Sequence, residues 1–470
     1  MQHSSQPPLC VDLDGTLVAT DTLWESFLIL VRENVFVLFL LPFWLVKGKA
    51  YFKHQIAQRV TLPVETLPYR EEVINFLKTQ KSQGRYIVLA TAAHQNIANG
   101  VATYLQLFDE VIASDKHSNM KSKQKRDTLQ QKFGDYDYIG DSSADLPILH
   151  TAQQKYLVSP SRLLRKNFST APIFEAPKVT LKTWLRALRP HQWVKNTLLF
   201  VPLTLSHQLF HPEKLYPTLI GFAAFCLVAS AGYILNDLLD LSADRSHLTK
   251  KERPFASGML SIPQGLVLFV SLLFLGVSLA FWYVSFAFVS MVLLYLVMTI
   301  TYSFYLKRKM ILDVMVLAGL YTHRLFAGGI AADTAISSWL MAFSMFIFAS
   351  LAFLKRYTEL LQLSEEKIIK NRNYSVDDIE MIASMGPTSG YLAILVFALY
   401  ISGEDVALLY PASFFLWFIC PLLLYWITRV WFIAHRKQMV DDPVWFALTD
   451  STSWFVMVSI FGLILLAKFL

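Results

Sequence analysis

The chain has 470 residues, of which 54% are hydrophobic and 16% charged, with 35 Phe, 20 Tyr, 11 Trp and a net charge of +7. So much apolar surface excludes a disordered chain, and three scattered cysteines, Cys10, Cys226 and Cys420, exclude a disulfide-built secreted scaffold. A charge of +7 invites an anionic partner, so where the lysines and arginines fall decides between nucleic acid and membrane topology.

Residues 1–160 have the soluble, mixed α/β pattern. Leu9–Leu13 (LCVDL) is a short apolar run of the kind that forms a buried parallel strand. It leads into Asp12-Leu13-Asp14-Gly15-Thr16. Carboxylates two residues apart at a strand end point the same way, and Gly15 permits a sharp turn. Such a pair suits Mg²⁺, with one carboxylate as nucleophile and the other moving a proton; taken alone, it serves equally well as a helix cap. The apolar run 27–46 is interrupted by Arg32, Glu33, Asn34 and Pro42, which favours a helical hairpin on or dipping into a membrane over a full span.

A second β-rich run, Tyr86–Ala90, ends at Thr91. Lys121, Lys123 and Lys125 follow in a helical segment. A third, Tyr136–Ile139, ends in Gly140-Asp141-Ser142-Ser143-Ala144-Asp145. Strand ends that supply Asp, Thr and Asp beside a Lys place a phosphate and metal site at the carboxyl edge of a parallel sheet. This order resembles the haloacid dehalogenase (HAD) phosphatases. The resemblance implies a Rossmannoid sheet with a helical cap near 20–80. It also implies Asp12 as nucleophile, Asp14 as acid/base, Thr91 as a hydroxyl donor to the phosphate, and Lys125 (or Lys121) as the fixed cation. Asp141 and Asp145 then join Asp12 and Asp14 as Mg²⁺ partners. A domain that keeps this fold without its chemistry is disfavoured, since every chemical group is present.

Residues 161–190, with Pro160, Pro172, Pro177 and Pro190 in or beside them, are expected to be a linker at the membrane surface. Residues 191–470 are dominated by apolar runs near membrane length. Nine spans are expected: 193–211, 217–236, 263–282, 285–304, 311–332, 337–356, 387–403, 410–430 and 452–469. One set of connecting loops carries fifteen Lys and Arg, including Lys367, Lys370 and Arg372, and the alternate set carries Lys214 alone. The positive-inside rule then puts these loops and the N-terminal domain in the cytoplasm. The chain is an expected multi-pass protein of the inner membrane, with its C-terminus outside. Nucleic-acid binding loses its support, because the charge is topological.

After the second expected span comes Asn236-Asp237-Leu238-Leu239-Asp240-Leu241-Ser242-Ala243-Asp244-Arg245. On one continuous helix, acids at i, i+3 and i+7 share a face. With Asn236 they offer hard oxygen ligands to Mg²⁺, and Arg245, Lys251 and Arg253 follow as diphosphate-gripping cations. A solvated charged loop is the alternative.

The stretch 236–254, NDLLDLSADRSHLTKKERP, resembles the first aspartate-rich motif of the UbiA-type intramembrane prenyltransferases, an all-α bundle of about nine spans. LRPHQWVKN (188–196), YSFYLKRKMILDV (302–314) and LKRYTEL (354–360) are similar to the decaprenyl-phosphate phosphoribosyltransferase branch. The second DxxxD motif of aromatic prenyltransferases is incomplete here: Asp313 is followed by Leu317. The resemblance implies Mg²⁺-dependent transfer of 5-phosphoribose from phosphoribosyl pyrophosphate (PRPP) to a polyprenyl phosphate. The HAD domain would then remove the 5-phosphate. Asp237, Asp240 and Asp244 are the catalytic acids. Lys195, Asn196, Lys307, Asp313, Arg324, Lys355 and Arg356 are candidate substrate contacts, although for mid-span Arg324 a structural carboxylate partner fits equally well and for Lys307 topological anchoring does. Two alternatives stand beside this: a prenyl diphosphate-dependent prenyltransferase, and a phosphatase on a non-catalytic membrane anchor. Oligomerisation is left open.

Overall fold

The computed structural model describes residues 6–362, 373–439 and 443–470; Lys367, Lys370 and Arg372 lie outside them. The chain divides into two compact units. The first comprises residues 1–189 and 233–271, the second 190–232 and 272–470.

In the first unit six strands, β1 (Leu9–Val11), β2 (Ile87–His94), β3 (Glu110–Ser114), β4 (Asp137–Gly140), β5 (Lys155–Val158) and β6 (Ile173–Phe174), form one sheet in the order β3-β2-β1-β4-β5-β6. Every pairing is parallel, with Val11 opposite Leu89 on one side and Ile139 on the other. The expected Rossmannoid sheet is therefore present. β1 is central and buried on both faces, which is why Leu9, Cys10 and Val11 read as an unbroken apolar run. β6 falls within the stretch expected to be a linker, so the sheet extends past residue 160.

Between β1 and β2 come α1 (Thr22–Glu33), α2 (Leu41–Val46), α3 (Lys49–Ala57) and α4 (Glu71–Ser82). α4 buries Val73, Ile74 and Leu77 in the sheet core, about 1.5–3 kcal/mol for each fully buried side chain. The first three pack instead around their own cluster of Leu30, Val37, Trp44, Ile56 and Val60. The cap is thus the shorter stretch 22–60, and α4 belongs to the core. The run 27–46 does not form one helix: Asn34 ends α1 in extended backbone, and its side chain accepts the Phe36 N–H to start a 3₁₀ turn at Val35–Phe39. The remaining helices of this α/β part are α5 (Gln95–Leu105), α6 (Lys123–Phe133), α7 (Leu146–Thr151), α8 (Arg162–Asn167) and α9 (Leu181–Leu188).

The rest is helical: α10 (Val201–Leu205), α11 (Pro212–Leu239), α12 (Leu241–Arg245), α13 (Ile262–Tyr283), α14 (Phe286–Phe304), α15 (Leu312–Ala331), α16 (Ser338–Leu361), α17 (Ile379–Ile401), α18 (Glu404–Leu409), α19 (Ile419–His435), α20 (Pro443–Thr449) and α21 (Ser451–Phe469). Among the described residues eight helices are long and apolar enough to cross a membrane, making this a multi-pass membrane protein. They match the expected spans two to nine. The first expected span is instead a 3₁₀ stretch, Pro190–Phe200, followed by the five-residue α10. Pro190 and Pro202 lack the N–H donors that a continuous helix needs.

Helices in lipid gain nothing from burying apolar side chains against one another, so close packing through small residues must hold them. Gly386 of α17 shows this. A β-carbon there would stand 2.0 Å from the Trp431 ring of α19, and Trp431 in turn donates its indole N–H to Ser350 Oγ of α16 at 3.2 Å.

Candidate functional site

The carboxyl edge of the sheet gathers the first constellation. Asp12 follows β1 directly, and its N–H is held by Ile139 O at 3.1 Å. Lys125, buried on α6, places Nζ 3.2 Å from Asp12 Oδ1 and 3.4 Å from Asp145 Oδ1. The same Nζ donates to Tyr138 OH at 2.6 Å and Ala90 O at 3.3 Å. Tyr138 OH donates to Asp145 Oδ1 at 2.9 Å, and Ser142 holds the other Asp145 oxygen through both N–H and O–H. Lys125 rather than Lys121 is therefore the cation at this edge. Thr91 Oγ1 accepts the Ala93 N–H at 3.0 Å, which leaves its own proton to donate. Gly15, at φ +76°, lets the chain turn where a β-carbon would fall 2.2 Å from Asp141 Oδ2.

Asp12, Asp141 and Asp145 each bring an oxygen within 4.8 Å of the others, the one group of three such ligands among the described residues. Hard oxygen donors at this separation fit Mg²⁺. Asp14 stands apart from that group, with Oδ1 accepting the Thr22 N–H at 2.8 Å.

Burial pushes Asp12 up to about 6 against the nearby Lys125 charge. Burial and the Asp21 charge push Asp14 to about 8, and burial with Asp12 and Asp145 pushes Asp141 to about 7. Burial therefore favours the protonated form of Asp14 in the metal-free protein.

These shifts fix a sign. A carboxyl raised in the folded state contributes stability below its unfolded value, here 3.8, which is lost as pH rises through about 8. The metal-free protein should melt at a lower temperature at about pH 8 than at about pH 5. Mg²⁺ favours the ionised forms, so it should raise the melting temperature more at the higher pH. Thermal unfolding in detergent, with chelator or with Mg²⁺, checks this; an Mg²⁺ shift no larger at the higher pH counts against a metal at these carboxylates.

Two contributors had no sequence signal. Tyr138 faces inward from β4 among apolar residues. Lys53, on the cap, donates to Ala92 O at 2.6 Å and Asn119 Oδ1 at 3.1 Å. Sequence distance hides the latter, since only the fold brings α3 back onto β2.

The aspartate-rich segment belongs to the same unit. The expected single helical face does not form: α11 ends at Leu239, Asp240 takes φ −105° and ψ 17°, and a short α12 follows. Asp237 is buried and paired with Arg189 and with Arg253, at 3.2 Å from the latter. Arg253 also holds Asp244 at 2.6 Å, and Arg32 lies 3.3 Å from Asp240. The donor types suit Mg²⁺, but the three acids are paired with arginines rather than arranged as a closed ligand set. Arg245, expected to grip diphosphate, is bonded to Glu25 at 2.5 and 2.9 Å and to Ala256 O at 2.8 Å. Lys251 is exposed.

In the second unit, Asn196 Oδ1 accepts from Arg324 Nε at 2.9 Å, and its Nδ2 donates to Cys226 Sγ at 3.2 Å. Arg324 also donates to Tyr295 OH at 3.1 Å. Its mid-span burial is met by these polar partners and by the rings of Phe225, Tyr295 and Tyr321. Asp313 and Arg356, both fully buried, bind each other at 2.5 Å; Tyr374 OH donates to Asp313 at 2.6 Å, and Arg356 reaches Tyr302 OH at 3.2 Å and Glu359 at 2.5 Å. These two expected substrate contacts are therefore committed to one internal network. Lys195 Nζ lies 5.8 Å from the Tyr321 ring centre. Lys307 is buried and Lys355 half-buried.

A HAD-family hydrolase of Salmonella enterica aligns with 38% of this chain and 69% of its own, at 14% identity and a TM-score of 0.27. Protein y4nM of Sinorhizobium fredii, uncharacterized, is 36% identical over 460 residues, which is 96% of this chain and 89% of that protein. A decaprenyl-phosphate phosphoribosyltransferase of Corynebacterium glutamicum is 31% identical over 221 residues, 46% of this chain and 67% of that protein. The profile of the UbiA prenyltransferase family matches residues 197–466. That is more than half of the sequence, and the chain, with a six-stranded parallel sheet ahead of the matched region, belongs to the UbiA prenyltransferase family.

Proposed function

We propose that the chain is a bifunctional enzyme of the inner membrane, with its N-terminal domain in the cytoplasm. The UbiA part transfers 5-phosphoribose from PRPP to a polyprenyl phosphate and releases diphosphate. The HAD part removes the 5-phosphate to give polyprenyl-phosphoryl ribose. The observation that carries the transfer step is the 31% identity over 221 residues to a decaprenyl-phosphate phosphoribosyltransferase. A lipid phosphate is already anionic, so it needs little activation, and positioning and charge carry the reaction. Asp237, Asp240 and Asp244 supply oxygen ligands, while Arg189 and Arg253 are placed to exchange a carboxylate for diphosphate oxygens. Mg²⁺, when bound, offsets the charge of the departing diphosphate.

At the sheet edge Asp12 attacks phosphorus as the P–O bond to the ribose breaks, and Asp14 protonates the leaving oxygen. Water, giving its proton to Asp14, then cleaves the aspartyl phosphate to release phosphate and free Asp12, while Lys125 with Thr91 holds the phosphoryl oxygens. Asp12, Asp141 and Asp145 would hold Mg²⁺ there, which would screen the phosphate charge from these acids.

Labelled PRPP and polyprenyl phosphate should yield a labelled lipid from the purified protein. Asp237→Ala/Asp240→Ala should lower that yield by at least about 10²-fold. Diphosphate release from a prenyl diphosphate but not from PRPP would select prenyl transfer instead. Wild-type transfer by the double variant would exclude this site.

A further inference from the structure

The cap carries an apolar surface that neither reaction uses. Between Val35 and Val46 two side chains, Val37 and Trp44, turn into the cap core. Others point out: Phe36 is 72% exposed, Phe39 74%, Phe43 69% and Val46 88%, with four more apolar neighbours also exposed. Soluble surfaces rarely hold so contiguous an apolar patch without a partner. No acid occurs from Asn34 to Gly48, and Lys47 and Lys49 close the segment. Its twelve residues are too few to span a bilayer, which takes about 20, and Pro42 breaks it further.

The patch also starts beside a membrane helix. Arg32, three residues ahead, donates to Leu239 O at 3.1 Å and pairs with Asp240 at 3.3 Å. Those are the last residue of α11, a helix of membrane length, and the residue after it; both lie in the stretch 233–271 that shares a compact unit with the cap. The polar root of the patch is thereby tied to the C-terminal end of that helix.

We propose that residues 35–46 are an interfacial anchor that seats Phe36, Phe39 and Phe43 in the acyl edge of the bilayer, with Lys47 and Lys49 at anionic headgroups. Continuity with α11 and the acid-free, lysine-closed sequence favour lipid over a second copy of the chain. The anchor fixes the cap, whose Lys53 reaches β2, against the membrane. On the phosphatase reading given above, the site then takes phosphomonoesters carried by lipids in preference to soluble ones.

The full chain, with Cys420→Ser, is labelled with an environment-sensitive fluorophore at Phe39→Cys or Phe43→Cys. It is reconstituted in vesicles of phosphatidylethanolamine and phosphatidylglycerol, with Lys78→Cys as an exposed control. Doxyl-labelled lipid should quench positions 39 and 43 by about twofold or more, while aqueous iodide reaches only position 78. Iodide quenching at 39 and 43 overturns the proposal, as does protection from both quenchers, which would mean a protein partner. Independently, Phe36→Asp/Phe39→Asp/Phe43→Asp should leave hydrolysis of a soluble aryl phosphate unchanged. It should slow hydrolysis of a lipid-borne phosphomonoester about tenfold; equal rates on the lipid for variant and wild type overturn the preference. If the wild type hydrolyses neither, the phosphatase reading fails and the quenching result alone decides the anchor.

Discussion

Asp12→Asn should lower phosphate release by at least about 10³-fold and leave transfer from PRPP intact. The amide keeps the shape of the carboxylate but is no nucleophile, and the charge opposite Lys125 Nζ, 3.2 Å away, disappears. The lipid made by the variant should then be heavier than the wild-type lipid by one phosphoryl group, which mass spectrometry reads directly. Loss of both activities would refute two independent sites. An unchanged lipid mass would separate the HAD domain from this product. Asp14→Asn bears on the same step differently, since its proton, favoured by burial, is what the leaving oxygen needs.

Arg356→Met should destabilise the membrane bundle by about 3–5 kcal/mol. Arg356 and Asp313 are both 0% exposed, so removing the guanidinium strands a carboxylate that retains Tyr374 alone among the contacts described above. The compensating pair Arg356→Met/Asp313→Leu should recover most of the loss, because a buried ion pair is worth little more than apolar residues of similar volume. Thermal unfolding in detergent checks both. If Arg356→Met keeps its stability and loses only transfer, these residues face substrate after all.

The soluble domain was legible because its chemistry sits at strand ends. Period-two alternation and short apolar runs locate β1, β2 and β4, and Asp12, Thr91 and Asp141 follow from those. The seven spans around residues 263–469 were equally plain, since bilayer thickness dictates their length. What escaped was partnership. Arg245 looks like a diphosphate ligand in a basic run, yet it is closed on Glu25, 220 residues away in sequence. Arg356 looks like part of a cytoplasmic rim and is instead sealed against Asp313. Local patterning carries no information on such pairs. The same holds for the first expected span, where apolarity was right and two prolines decided the backbone.

The unit that contains the six-stranded sheet is discontinuous: it comprises residues 233–271 as well as residues 1–189. Glu25 and Arg32 take their partners from that later stretch. Proteins emerge from the ribosome N-terminus first and their domains fold in that order. Here the leading domain emerges before Arg245 and Asp240 exist. It gains these two ion pairs only after α11, a helix of membrane length, has been synthesised, so completion of the leading unit waits on the chain that follows that helix.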